Sequence, residues 1–277
     1  MGGPVTTTVL LEGRGFLEAP HWHDGELWMS DLHRHEVVAV TTDGDARVVG
    51  AIDDQPSGLG FLPDGTAIVT SLLKRRVVRV TDDSLYADLA DLTVGGTNDM
   101  IVDARGRAYV GSFGYDVFGR APKAPGNLVL VDGRRAPRVV AEELAFPNGM
   151  AITSDGTLVV AESAGGLLTA FDVEDDGSLS GRRLWAEIPG RPDGITIDIE
   201  DAIWVALPRE GRCVRVERGG ALTGTVFARD GWRTVSCGFG GADLSTLYVT
   251  TAFVTEPTAT ACLEYALVDV PGVPGDA

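Results

Sequence analysis

Four side chains that carry oxygen ligands recur at corresponding points of a repeated sequence pattern: Glu18, Asn98, Asn148 and Asp193. Two carboxylates and two neutral amides suit hard cations such as Ca²⁺, Mg²⁺ or Mn²⁺, and two carboxylates balance one divalent charge. Taken alone, the Asn-Gly pair at residues 148–149 indicates only a tight turn, because both residues tolerate positive φ. A shared position in successive repeats instead predicts that the four side chains converge on one metal site.

The repeated pattern is a short apolar run, a tight turn and a second apolar run. Four clear copies read PSGLGFLPDGTAIVT, TNDMIVDARGRAYVG, PNGMAITSDGTLVVA and PDGITIDIEDAIWVA, and weaker copies start at Leu17 and Ser236. The second residue of each copy is a marker, and the six markers lie 39, 41, 50, 45 and 44 residues apart: Glu18, Ser57, Asn98, Asn148, Asp193 and Cys237. Repeats of about 40 to 50 residues are typical of four-stranded propeller blades.

The six copies predict an all-β fold, a six-bladed β-propeller that forms a single domain over residues 1–277. We expect residues 6–13 to supply the outer strand of the last blade and so close the ring. The innermost strands of a propeller surround its central channel. The markers should therefore form a ring at one end of that channel, which becomes a metal-binding channel.

Composition restricts the function classes. The chain has 277 residues, 36 glycines and a net charge of −17, which disfavours nucleic acids and anionic membrane surfaces as partners. We expect a small-molecule ligand, a cytoplasmic location, and a monomer or weak homo-oligomer. The three widely spaced cysteines are typical of reduced thiols. The sequence contains no Gly-x-Ser-x-Gly elbow, Walker loop or His-Glu-x-x-His helix motif.

Several blocks resemble the senescence marker protein, gluconolactonase and luciferin-regenerating enzyme family over essentially the whole chain. They include FLEAP, TND, FPNGMAITSDGTLVVAESAGGLLTAFDV, RPDGITID and CGFGGADLSTLYVT. The resemblance implies a six-bladed propeller with one divalent metal in the channel. It assigns Glu18, Asn148 and Asp193 as the protein ligands and Asn98 as the residue that reaches metal-bound water or substrate. It also gives Asp193 the role of general base.

This arrangement indicates a metal-dependent lactonase or esterase-type hydrolase. A divalent ion, Ca²⁺ in the first place and Mg²⁺, Mn²⁺ or Zn²⁺ otherwise, can polarise an ester carbonyl and acidify water, and Asp193 can accept the proton. Two alternatives stay open. The same ring can serve a cyclisation, isomerisation or condensation, and the chain can also be a non-catalytic binding propeller with a structural ion.

The third repeat departs from the family pattern in a way that bears on the substrate. Sugar-lactonase members usually have an arginine two residues before the asparagine of this repeat, where it helps to hold sugar hydroxyls, but here that position is Gly96. We therefore expect a lactone or small ester that is less polar than a sugar lactone.

Five further residues are candidates for substrate contact: His33, Phe113, Tyr115, Glu162 and Arg191. Phe113 and Tyr115 belong to a long loop, residues 112–126, which is either a mobile lid or a surface loop pinned by its own aromatics. The simpler interpretation of Glu162 is a solvated carboxylate. The simpler interpretation of Arg191 is an ion pair with a surface acid.

The histidines form two His-x-His pairs, at positions 21 and 23 and at 33 and 35. Zinc sites use this spacing, because on a strand it points both rings to one face. Packing beside Trp22 explains the first pair, and the second pair falls in a loop at the predicted site, so a separate zinc site is disfavoured.

Overall fold

The structure is a computed structural model that describes residues 5–255 and 258–274. Within those ranges the chain forms strands and turns and no helix, and six sheets are arranged as the blades of a β-propeller. The predicted fold class is confirmed. None of the described segments is a helix long and apolar enough to span a membrane.

The chain opens with β1 (Val5–Thr6) and β2 (Thr8–Arg14). Blade one follows with β3 (Leu17–His23), β4 (Glu26–Asp31), β5 (Glu36–Val40) and β6 (Ala46–Ala51), and blade two with β7 (Pro56–Phe61), β8 (Ala67–Ser71), β9 (Arg76–Arg79) and β10 (Leu85–Asp88). Blade three contains β11 (Thr97–Val102), β12 (Ala108–Ser112), β13 (Gly126–Val131) and β14 (Arg138–Leu144).

Blade four is built from β15 (Pro147–Ile152), β16 (Thr157–Glu162), β17 (Leu167–Val173) and β18 (Leu179–Glu187). Blade five contains β19 (Ile195–Ile197), β20 (Ile203–Leu207), β21 (Arg212–Val216) and β22 (Leu222–Phe227). Blade six contains β23 (Arg233–Gly240), β24 (Thr246–Thr255) and β25 (Thr258–Leu267), and its fourth strand is β2, which pairs antiparallel with β25. The short β1 pairs in parallel with β22.

The inner strands form a closed circle. Each contacts the next in chain order, β3 with β7, β7 with β11, β11 with β15, β15 with β19 and β19 with β23, and β23 returns to β3. The segment at residues 272–273 crosses one end of the channel. Gly272 forms a β-bridge with Asp198 and donates to the carbonyl of Leu244 (2.9 Å), and Val273 lines the channel. The opposite end, where the inner strands begin, is therefore the mouth.

The hydrophobic core lies between the blades. Each of six apolar clusters draws its side chains from two neighbouring blades. Tyr109 of blade three is fully buried in one of them, and its hydroxyl donates to the carbonyl of Gly177 in blade four at 3.1 Å. This packing fixes the angle between blades, and so the positions of the residues at the mouth.

The inner strands of blades one to four each carry a β-bulge beside their marker residue. The register shifts occur between Glu18 and His21, and at the equivalent points of β7, β11 and β15. Bulges re-aim side chains next to functional sites. Gly149 lies in this segment, and a Cβ there would lie 2.4 Å from the backbone nitrogen of Ile195. The Asn-Gly pair thus lies in a strand that closely approaches the next blade, as the repeat predicts, and the alternative of a tight turn is wrong.

Candidate metal centre and active site

The four oxygen-bearing markers lie at the mouth. Glu18, Asn98 and Asn148 are the second residues of β3, β11 and β15, and Asp193 lies two residues before β19. Both asparagines are buried, whereas the two carboxylates keep part of their surface accessible. The backbone nitrogen of Asp193 donates to the carbonyl of Ala206 (3.0 Å), which fixes this residue against the second strand of its blade.

Hydrogen bonds join the markers of neighbouring blades. The Asn148 amide nitrogen Nδ2 contacts Oδ1 of Asp193 and also donates to Oγ of Ser163 at 3.2 Å. Ser163 in turn donates to the carbonyl of Pro192 at 2.6 Å. Nδ2 of Asn98 donates to the carbonyl of Pro147 at 2.9 Å. Asn98, Asn148 and Asp193 therefore belong to one connected polar network.

Three carboxyl groups interact electrostatically at the mouth. Burial raises the pKa of Glu18 well above its usual range, and the nearby charges of Asp193 and Asp99 raise it further. Burial and the charge of Asp99 raise the pKa of Asp193 to about 7, against a lowering effect of its contact with Asn148. Burial raises the pKa of Asp99 to about 6, against a lowering hydrogen bond from Met100. No cationic side chain among the described residues offsets these charges.

These residues fit a hard divalent cation. An ion with oxygen ligands would neutralise clustered carboxylates that have no positive partner, and Oδ1 of Asn148 accepts no hydrogen bond from a described residue. No three His, Cys, Asp or Glu side chains in the described ranges are grouped as a metal site by themselves. A third ligand would therefore have to come from a neutral amide such as that of Asn148.

The aromatic candidates lie beside this network. Phe113 is buried and stacks on Phe146 with ring centroids 4.8 Å apart, and Tyr115 is tilted against the same ring at 6.1 Å. Phe113 therefore anchors the base of the loop, while Phe118 near its tip is 56% exposed. Exposed His33 lies on the mouth side of blade one, with its ring 5.4 Å from that of Phe16.

Two expectations about charged candidates need correction. Glu162 is buried rather than solvated, and its oxygens accept from the backbone of Ala145 (2.5 Å), from Thr169 and from Arg182 (3.2 Å). Protein donors reach both oxygens, so Glu162 has a structural role and the solvated carboxylate expected for it is wrong. Arg191 is exposed and forms no ion pair with a described residue, so the surface ion pair expected for it is wrong.

The histidines of the first pair separate. His21 is directed into the protein, its Nδ1 is 3.1 Å from the carbonyl of Ala19, and burial lowers its pKa. His23 stacks on Phe61 at 3.8 Å. Beneath the mouth, His21, Asp99 and buried Cys237 line a narrow cavity of about 40 Å³.

Sequence reasoning missed three residues at this site. Asp99 is the third acid of the cluster, and its position directly after Asn98 was the available signal. Ser163 ties Asn148 to blade five and was part of the family-like block around residue 148. Phe146 adopts a left-handed φ of 64°, which no sequence pattern indicates for a bulky residue.

The chain is similar to known proteins both in sequence and in fold. A sequence model of the SMP-30/Gluconolactonase/LRE-like region matches residues 16–253. Pentonolactonase XacC of Haloferax volcanii is 31% identical over 254 residues, which cover 85% of this chain and 81% of that protein.

Among solved structures, a luciferin-regenerating enzyme superposes with a TM-score of 0.82 at 21% identity, covering 98% of both chains. A calcium-binding regucalcin from Agrobacterium tumefaciens gives 0.80 at 19% identity, covering 99% of this chain and 98% of that one. At these identities the structural likeness shows the propeller fold.

Proposed function

Since this chain belongs to the SMP-30/gluconolactonase/LRE-like family, we propose that it is a lactone hydrolase that depends on a divalent cation held by Glu18, Asn148 and Asp193. The observation that carries the proposal is the group of carboxyls at the mouth, which lies in a network with two asparagines and lacks a positive partner. The pentonolactonase activity named for the 31% identical relative supports a lactone as substrate. We propose Ca²⁺ as the cation, because a relative of the same fold is described as calcium-binding.

When bound, the cation would supply Lewis-acid polarisation of the lactone carbonyl. Asp193 is the proposed general base, because its ionised carboxylate can accept a proton from the attacking water. The water oxygen forms a bond to the carbonyl carbon, the ring C–O bond breaks, and the proton taken up by Asp193 passes to the ring oxygen, so the product is a hydroxy acid. Asn98 has one N–H fixed by Pro147, so its second N–H and Oδ1 are left to orient the water or the substrate.

We also propose that the substrate is not a sugar lactone. Gly96 has a φ of 138°, and a Cβ there would lie 3.1 Å from Cδ2 of Leu72 and 3.2 Å from Cδ2 of Phe113. This position thus supplies no hydrogen-bonding side chain and is bordered by apolar ones. We also propose a cytoplasmic location. The three cysteines are free and buried, which is consistent with a reducing compartment.

The test is proton release from a panel of lactones and esters by chelator-treated protein to which Ca²⁺, Mg²⁺, Mn²⁺ or Zn²⁺ is restored. We expect cation-dependent hydrolysis in the wild type and a loss of at least about 100-fold in Asp193→Asn, since general-base catalysis alone contributes this much. The control Asp175→Asn removes a fully exposed carboxylate elsewhere on the molecule and should behave as wild type. Cation binding without hydrolysis of any compound would favour non-hydrolytic chemistry at the same site. Activity and stability that both ignore chelation would contradict the metal-dependent proposal.

A further inference from the structure

A second ring of residues lies directly outside the markers. Each member precedes its marker by two positions, and four of them accept an equivalent backbone hydrogen bond from the residue that follows the second strand of their blade, at 2.9 to 3.1 Å. This shared bond places the carbonyls of those four residues at one level of the mouth. The members in chain order are Phe16, Gln55, Gly96, Phe146, Arg191 and Val235.

The circular order of the inner strands sets blade one opposite blade four. Phe16 and Phe146 therefore occupy opposite sides of the mouth, and both are partly exposed. Each has a second ring behind it, because Phe16 is 5.4 Å from His33 and Phe146 is 4.8 Å from Phe113. The mouth thus has an aromatic group on two facing sides.

Phe146 is the better supported of the two. Its ring stacks on Phe113 at an interplanar angle of 20°, with Tyr115 against it, so one face is fixed by protein. The next residue, Pro147, accepts the hydrogen bond from Asn98, and Asn148 follows directly. Phe146 is therefore next in sequence to Pro147, which belongs to the polar network.

The backbone at Phe146 is strained. Its φ of 64° is unusual for a bulky residue, and strained conformations of this kind cluster at functional sites. The carbonyl of Phe146 accepts from the backbone nitrogen of Ser163 at 3.1 Å, which holds the segment in this conformation. The chain thus keeps a large ring at a position where Asn or Gly would be relaxed.

We propose that Phe146, supported by Phe113 and Tyr115 and faced by Phe16, determines specificity by accepting an apolar substituent of the lactone ring. This inference rests on the proposed function. Each methylene buried against these rings should raise kcat/KM by about threefold to fourfold. A polyhydroxylated lactone would place hydroxyl groups against ring faces that offer few partners, so it should react more slowly.

The experiment compares kcat/KM across γ-lactones with 4-alkyl chains of zero to six carbons and across one polyhydroxylated lactone. In the wild type kcat/KM should rise with chain length, and the polyhydroxylated lactone should be the poorer substrate. In Phe146→Asn, which removes the ring and suits positive φ, the ratio of the longest-chain to the unsubstituted lactone should fall at least tenfold. The control is Phe253→Ala, since Phe253 is 44% exposed, lies at the same end on blade six and packs on Trp232.

A flat wild-type series, a preference for the polyhydroxylated lactone, or an equal chain-length dependence in Phe146→Asn would overturn the inference. If no lactone is hydrolysed with any cation, the proposed function fails and a second readout decides on Phe146. That readout is calorimetric binding of 4-hydroxyalkanoates, the products of the series. Affinity that rises with chain length in the wild type and not in Phe146→Asn would support the specificity role, and equal dependence would overturn it.

Discussion

The carboxyl groups of Glu18, Asp99 and Asp193 link the electrostatics of the mouth to folding stability. Burial raises all three pKa values in the folded protein, to about 6 for Asp99 and about 7 for Asp193, and the charges of neighbouring carboxyls raise those of Glu18 and Asp193 further. In the unfolded chain the carboxyl pKa values are the ordinary ones, about 4. Between about pH 4 and 7 the unfolded chain therefore binds fewer protons than the folded protein. Stability therefore falls as pH rises through this window.

We expect the melting temperature of chelator-treated protein to decrease from about pH 5 to 8, with a shallower decrease in Asp193→Asn. Buried His21 has a lowered pKa and acts in the opposite direction up to about pH 6.5, so the comparison between the two proteins is the decisive one. Calorimetric scans across this range measure both slopes. A slope in Asp193→Asn as steep as in the wild type would show that Asp193 keeps an ordinary pKa.

Ser163 is expected to act on the cation site through Asn148. Its hydroxyl accepts from Asn148 and donates to Pro192, so Ser163→Ala should lower cation affinity about tenfold by releasing the amide. The control Ser154→Ala removes an exposed hydroxyl bound to Asp201. Titration calorimetry with Ca²⁺ compares the two, and unchanged affinity in Ser163→Ala would show that Asn148 needs no such support.

At the residue scale the sequence placed the marker ring but misjudged some neighbours. The markers could be predicted because a fixed repeat position becomes a fixed place around the channel. The burial of Glu162 depends on Thr169 and Arg182 from the next strands, and these contacts have no local signature. The same holds for the strained φ of Phe146, which only the packing around it maintains.

At the scale of elements, strand pairs followed from the turn signals, whereas the bulges did not. Apolar runs separated by Pro-Asp-Gly or Ser-Asp-Gly predict hairpins well, because these turns set where strands end. A bulge depends on the partner strand as well. The Asn-Gly pair at residues 148–149 indicates a turn when it is taken alone, whereas its place in the repeat predicts the inner strand that the structure has.

The variant Gly96→Ala tests how tightly the blade-three loop packs at the mouth. Gly96→Ala should destabilise the protein by about 2 to 3 kcal/mol, because φ is 138° and the added Cβ would lie only 3.1 to 3.2 Å from Leu72 and Phe113. Gly65→Ala is the matched control, since its φ is 83° and no atom lies within 4 Å of the added Cβ. Denaturant unfolding should rank Gly96→Ala as clearly the more destabilised, and an equal loss would contradict tight packing here.

At the scale of the molecule, closure of the ring involves β2. It pairs with β25, and just before it Thr7 donates to the fully buried Glu264. Removal of residues 1–14 should lower the melting temperature by about 10 °C or more and promote association through the uncovered edge of β25. Removal of residues 1–6 keeps β2 and should cost far less. Thermal scans with size-exclusion chromatography test this, and equal behaviour of the two truncations would contradict it.

The proposed hydrolysis requires one cation that acts at the mouth. The most direct test adds Ca²⁺ stepwise to chelator-treated protein and follows the hydrolysis rate and the bound ion in the same samples. The rate should rise in proportion to bound Ca²⁺, reach a plateau at about one ion per chain, and stay near zero in Asp193→Asn. Full hydrolysis before any ion is bound, or a rate that does not follow occupancy, would contradict cation-dependent hydrolysis at the mouth.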